Sequence, residues 1–208
     1  MSERPQRLSM LRSYTVADLF TLANASCGTV AIFLCLGYIA DEKSTELWAA
    51  FVLPVFALVF DALDGYIARL NRTRQSLLGA DLDSLADIVS FGVAPAVLGY
   101  TLGLRGFWDM ICLTYFVCCG ISRLARFNVT SAALTNTATG KVRYFEGTPI
   151  PTSIVLVLLL AIMYCLGHTG PNFWWSHWTL MHRVLHPFAL LFFASGSLMI
   201  STIKVPKP

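Results

Sequence analysis

Four aspartates are placed where charge is expensive. Asp61 and Asp64 follow the strongly apolar run from Leu47 to Phe60, and Asp83 and Asp87 open the next apolar run. An ionised carboxylate inside a membrane helix costs a few kcal/mol (~3) even on the mildest insertion scales, so intramembrane acids default to function. Asp61 and Asp64 are three apart and Asp83 and Asp87 four apart, so each pair shares a helix face. The two pairs meet if their helices pack antiparallel through the basic turn between them. Up to four negative charges gathered in one place would repel and resist desolvation. Two divalent cations would neutralise them. An all-oxygen ligand set selects hard ions, Mg²⁺ or Mn²⁺, which commonly bridge protein carboxylates to phosphate.

The neighbouring residues suit such a site. Gly65 lies one turn beyond Asp61, Ala68 one turn beyond Asp64, and Gly79 one turn before Asp83 if helix extends back that far. Each thins the wall beside a carboxylate, so a bulky ligand can approach. Arg69 adds a fixed cation for a phosphate oxygen. Asp81 breaks the spacing and reads as a solvated helix cap.

The elements that must position these residues are membrane helices. The chain has 208 residues, 56% hydrophobic and only 13% charged, about half the charge of a soluble domain. Its net charge of +3 offers nothing to nucleic acid. Apolar runs near the ~20 residues needed to span a bilayer predict an all-α polytopic protein. Its six transmembrane helices would be Val16–Ala40, Leu47–Ile67, Leu85–Leu102, Phe107–Ala125, Ile150–Leu166 and Val184–Thr202. Twelve of the 15 Lys and Arg residues then fall on one side, leaving Lys43, Arg105 and Arg183 on the other. By the positive-inside rule both termini are cytosolic. Asp61 lies eight residues before Arg69, roughly 12 Å of helix rise from the cytosolic end, so the site opens toward the cytosol.

Residues 1–15 form a separate N-terminal segment, and 16–208 the membrane domain. Leu8, Leu11 and Val16, with arginines between them, suit an amphipathic helix on the cytosolic surface, and no cleaved signal peptide is expected. The six cysteines lie in or at the end of apolar runs without metal-ligand spacing and read as buried small residues. Phe173, Trp174, Trp175 and Trp178 suit an interfacial aromatic belt.

Taken together, Asp61, Asp64, Gly65, Ala68, Arg69, Gly79, Asp83 and Asp87 resemble, in type and spacing, the signature of the CDP-alcohol phosphotransferases. The resemblance implies a six-helix membrane fold, usually a homodimer, in which an alcohol displaces CMP from a CDP-linked donor. It implies that the four aspartates serve the metal site, with Asp87 also the base that deprotonates the attacking hydroxyl. Gly65, Ala68, Arg69 and Gly79 would then line the CDP-linked donor. Asn24 in the first span occupies a place where the family often has a polar residue facing the nucleotide; an interhelical hydrogen bond is the equal alternative.

Two further stretches bear on the acceptor. Arg123 and Arg126 share a face in Arg123-Leu-Ala-Arg126-Phe127-Asn128, at the predicted end of span four, and two arginines suit an anionic acceptor group. Positive-inside anchoring is the other reading; Lys141 and Arg143 read as surface anchors, with contact to lipid phosphate as their alternative. With the Phe145-x-Gly147-x-Pro149-x-Pro151 stretch, this resembles the phosphatidylserine synthases of the CDP-diacylglycerol type, the fungal ones most. That resemblance implies CDP-diacylglycerol and L-serine as substrates, Arg123, Arg126 and Phe127 at the serine, and a membrane of the endoplasmic reticulum. A sister enzyme using inositol or glycerol 3-phosphate is the alternative within the class. A cation channel or transporter is the alternative outside it, although a transport path would place acids at several depths.

Overall fold

The computed structural model describes residues 15–70, 77–135, 144–169, 178–180, 183–201 and 204–206. The predicted amphipathic segment, Arg72, Arg74, Lys141, Arg143 and most of the aromatic belt lie outside these residues. Among the described residues, seven α-helices carry the fold: α1 Val16–Asp41, α2 Ser44–Leu70, α3 Leu77–Asp87, α4 Ala94–Leu102, α5 Phe107–Thr135, α6 Ile154–Cys165 and α7 Ala189–Ile200. Thr15 caps α1 in a reciprocal capping box, its side chain accepting from the Asp18 N–H while Asp18 accepts from the Thr15 N–H.

Among the described residues, four helical stretches are long and apolar enough to cross a membrane: Val16–Asp41, Ser44–Ile67, Gly79–Leu102 and Phe107–Val129. The other two predicted spans are shorter as helices. Residues Ile150–Ser153 form a 3₁₀ turn before α6. Val184 and Leu185, predicted to begin the sixth span, instead belong to a strand. That leaves α7 with 12 residues, about 18 Å against a hydrocarbon core of roughly 30 Å. The helix of span four runs ten residues beyond its predicted end at Ala125, so the Arg123–Asn128 stretch is helical interior.

The expectation of purely α structure holds for the bulk of the fold, with two small additions. Strand β1 (Tyr144–Glu146) pairs antiparallel with β4 (Lys204–Pro206), joining the stretch before α6 to the stretch after α7. Strand β2 (Trp178–Leu180) pairs with β3 (Arg183–Leu185). Gly147 ends β1 with φ +74°, and a Cβ there would collide with the Met199 carbonyl, so only glycine lets this turn close onto α7.

The third span is the centre of the bundle. In its apolar stretch 67% of residues are buried within the protein, against 28–33% for the other three long spans. It is not one continuous α-helix. Ile88–Val93, immediately after Asp87, forms a π-helical turn between α3 and α4, a local widening that recurs at functional sites. Phe91, Leu98 and Leu102 from this span meet Phe116 of α5, Leu160 of α6 and Phe192 of α7 in the core. Outward-facing Leu19, Phe33, Val52, Phe56, Ile121, Val155 and Leu158 are left exposed, as a lipid-facing surface requires.

The helices end in two layers. At one end Tyr164 packs against Tyr38, Trp48 and Phe51, and Arg183 lies over the Phe107 ring. Here Asp109 is fully buried. It accepts from the Gly106 and His186 backbone N–H groups and contacts His186 Nδ1 at 2.6 Å. The aspartates of the predicted site lie at the other end.

Candidate active site

Helix α2 presents Asp61 and Asp64 one turn apart, and α3 presents Asp83 and Asp87 likewise. One carboxylate oxygen from each of Asp61, Asp83 and Asp87 lies within 4.8 Å of the other two. All four acids interact electrostatically with one another. The structure thus brings Asp61 of α2 together with Asp83 and Asp87 of α3. Asp64 stands slightly apart: it is buried, and its Oδ2 accepts from the Thr21 hydroxyl at 2.8 Å.

The chemistry of this donor set fits a hard divalent ion. It is all oxygen, and Asp83 Oδ1 is buried without a hydrogen-bond partner, an arrangement that costs free energy unless something binds it. Asp61, Asp83 and Asp87 would hold such an ion, with Asp64 beside them.

Helix α1 supplies the layer behind the acids. Asn24, fully buried, donates from Nδ2 to Asp87 Oδ1 at 3.2 Å. The Ser90 hydroxyl, inside the π-helical turn, donates to the Asn24 carbonyl oxygen at 2.8 Å. Gly28 makes this approach possible, because a Cβ there would lie 2.6 Å from Ser90 Cα. Of the two alternatives for Asn24, the structure shows the interhelical hydrogen bond, and its partner is a site aspartate. Its Oδ1 is buried and unpartnered.

Arg123 of α5 is half-buried and within electrostatic reach of Asp87. Its Nε is buried without a partner. Arg126 and Phe127 are exposed, Phe127 at 44%, so the three residues assigned to the acceptor divide between one near the carboxylates and two on the outer surface. Gly65 and Gly79 are half-buried in α2 and α3, and Gly79 lies one turn before Asp83 within helix as expected. Ala68 and Arg69 belong to α2, but their side chains lie outside the described residues.

Asp81 is not a cap. It sits exposed in the second turn of α3, and its Oδ1 accepts from Asn128 Nδ2 at 3.3 Å. The Ser84 hydroxyl donates to Asn128 Oδ1 at 3.1 Å, so Asn128 clamps α5 to α3 beside the acids. Sequence reasoning missed Asn128, Thr21, Gly28 and Ser90 as supports. A signal for the α1 residues was present. Asp18, Thr21, Asn24, Gly28, Ala31 and Cys35 recur at helical spacing, and all are buried. Such a small and polar stripe marks a close helix contact in a membrane.

Comparison with known proteins identifies the family of the chain. A family profile described as CDP-alcohol phosphatidyltransferase matches residues 14–194. A CDP-diacylglycerol–serine O-phosphatidyltransferase of Saccharomyces cerevisiae is 43% identical over 204 residues, covering 96% of this chain and 73% of that protein. A protein of the same name from Helicobacter pylori is 37% identical over 93% of this chain and 72% of its own length. An archaetidylserine synthase of Methanothermobacter thermautotrophicus is 37% identical over 67% of this chain and 54% of its own length.

Proposed function

The chain belongs to the CDP-alcohol phosphatidyltransferase family, and from that premise we propose that it transfers the phosphatidyl group of CDP-diacylglycerol to the hydroxyl of L-serine, releasing CMP. The observation that carries this reading is the convergence of Asp61, Asp83 and Asp87 within 4.8 Å at one end of an apolar helix bundle. The choice of serine is supported by relatives whose names specify it.

Asp61, Asp83 and Asp87, with Asp64 beside them, would hold Mg²⁺ or Mn²⁺, whose positive charge would offset the negative charge of the donor pyrophosphate and of the departing CMP. The rest follows from the chain's own residues. Asp87 is the base that takes the proton from the serine hydroxyl, a role suited to a buried carboxylate held by Asn24. Arg123, with an unengaged Nε near Asp87, holds the serine carboxylate so that its hydroxyl faces the base. Arg126 and Phe127 line the outer approach. Gly65, Ala68 and Gly79 leave room for the nucleotide, and Arg69 engages its phosphates. Lipid donor arrives laterally between helices and serine from the cytosol.

In this reading the protein has six crossings and cytosolic termini, with α6 and α7 completing the bundle despite their length. Residues 16–208 make up the enzyme domain. It works as a homodimer in the endoplasmic reticulum membrane. The test uses purified protein, CDP-diacylglycerol, divalent ion and, separately, labelled serine, inositol and glycerol 3-phosphate. CMP release should require serine, stop on chelation and resume when Mg²⁺ or Mn²⁺ is restored. Turnover with inositol in the absence of serine would overturn the acceptor assignment.

A further inference from the structure

Asp64 is the one aspartate of the four whose oxygens do not join the cluster within 4.8 Å. Its Oδ2 takes a 2.8 Å hydrogen bond from Thr21 Oγ1, with both side chains almost wholly buried, 4% and 6% exposed. The same hydroxyl lies 3.2 Å from the Ala17 carbonyl oxygen one turn back. A hydroxyl has one hydrogen, and the shorter contact to a charged acceptor is the stronger claim on it. Thr21 also lies three residues before Asn24, so one face of α1 sends a donor to one acid of α2 and another to one acid of α3.

We propose that Thr21 is a positioning residue for the metal centre, acting through Asp64. The hydrogen bond, together with one the same carboxylate accepts from the Gly65 backbone N–H, stops the carboxylate from rotating under repulsion from its three neighbours and from Asp18, and so fixes the edge it offers to an ion. Hydrogen bonds of this kind to ligating carboxylates typically change metal affinity 10- to 100-fold. The inference rests on the metal-assisted reading above but not on the identity of the acceptor alcohol.

The test is Mn²⁺ binding to the intact, detergent-solubilised protein without either substrate, followed by electron paramagnetic resonance. Thr21→Val, which keeps the shape and removes the donor, should weaken binding about tenfold. The Mn²⁺ dependence of CMP release should shift in parallel, with kcat recovering at saturating metal. Thr21→Ser should stay within about twofold of the parent, because it keeps the hydroxyl. In an Asp64→Asn background, Thr21→Val should add nothing. Thr21→Ala carries the same expectation and serves if valine prevents insertion. An unmoved Mn²⁺ titration in Thr21→Val, equal losses in the valine and serine variants, or an additive loss with Asp64→Asn would each overturn the proposal. A parent protein that binds no Mn²⁺ would overturn it together with the metal reading, whereas a different acceptor alcohol would leave the titration unchanged.

Discussion

Gly28 sets how closely α1 can approach the acids, and replacing it gives a displacement that can be worked out in advance. A Cβ at Gly28 would lie 2.5 Å from Ser90 Oγ, 2.6 Å from Ser90 Cα and 2.9 Å from Ser90 N. Two of those atoms are backbone in the π-helical turn and cannot rotate away. Carbon atoms rest at about 3.5–4.0 Å, so Gly28→Ala forces α1 to retreat by about 1 Å. Asn24 is one turn away on the same face, and its bond to Asp87 is already 3.2 Å long. A retreat of that size carries it past hydrogen-bonding range and pulls the Asn24 carbonyl from the Ser90 hydroxyl as well. Overpacking of this kind costs about 1–3 kcal/mol of stability, and a misplacement near 1 Å at a reacting group costs up to ~100-fold in rate. Initial rates of CMP release from Gly28→Ala should therefore fall about 10- to 100-fold, with earlier thermal unfolding in detergent. Gly92→Ala and Gly120→Ala are the controls. An added Cβ would meet the Ile88 Cδ1 methyl at 3.5 Å from Gly92, and the Ile88 and Ile150 Cδ1 methyls at 3.4 and 3.6 Å from Gly120, so both should behave like the parent. A Gly28→Ala protein with parental rate and melting would refute the idea that close approach of α1 positions Asp87.

Three other outcomes follow from the site. Asp83→Asn keeps the shape of the side chain but removes a charge from the cluster, so turnover should fall to background while the protein still inserts and purifies as a folded species; full activity would end the metal-site reading. Arg123→Lys loses the planar fork but keeps the charge, and should raise the KM for serine about tenfold or more with little change for CDP-diacylglycerol, measured with each substrate varied in turn. Asn128→Asp places a carboxylate against Asp81 and should lower activity, whereas Asp81→Asn combined with Asn128→Asp reverses donor and acceptor and should restore it; a double variant no better than Asn128→Asp would show that the clamp between α3 and α5 is unimportant.

The acids were legible in the sequence because a bilayer penalises them, and their spacing put each pair on one face without any tertiary knowledge. Their supports were not. Hydropathy registers Thr21 and Asn24 only as slightly polar breaks in an apolar run, and nothing local says that α1 turns them toward α2 and α3. The π-helical turn after Asp87 is invisible for the same reason, since Ile88–Val93 is as apolar as an ordinary span. Element ends failed where composition and hydrogen bonding part company. Helix α5 continues past Ala125 because its backbone ladder propagates through Arg126 and Asn128, although they end the apolar stretch. Val184 and Leu185 are apolar enough to begin a span, yet they pair with Thr179 and Trp178 in a hairpin. Asp81 was misread because its partner, Asn128, is 47 residues away.

The two ends of the bundle treat buried polar groups in opposite ways. Asp109, fully buried, is met by two backbone N–H groups and the His186 ring, which pins the start of α5 to the segment before α7. Both oxygens of this carboxylate are engaged within the protein, and it serves as a fastening. Around Asp87 the pattern is reversed. Among the described residues five buried side-chain atoms lack a hydrogen-bond partner, and three of them, Asn24 Oδ1, Asp83 Oδ1 and Arg123 Nε, belong to residues that touch Asp87 or feel its charge. Each such atom costs about 1–3 kcal/mol while it stays unpaired. A free-energy deficit spread over the neighbours of one acid, as two acceptors and one cationic donor, is relieved by a ligand offering both positive charge and an anionic group. An ion-bridged phosphate together with an amino-acid carboxylate meets that description, and a neutral alcohol without a carboxylate leaves the arginine unanswered.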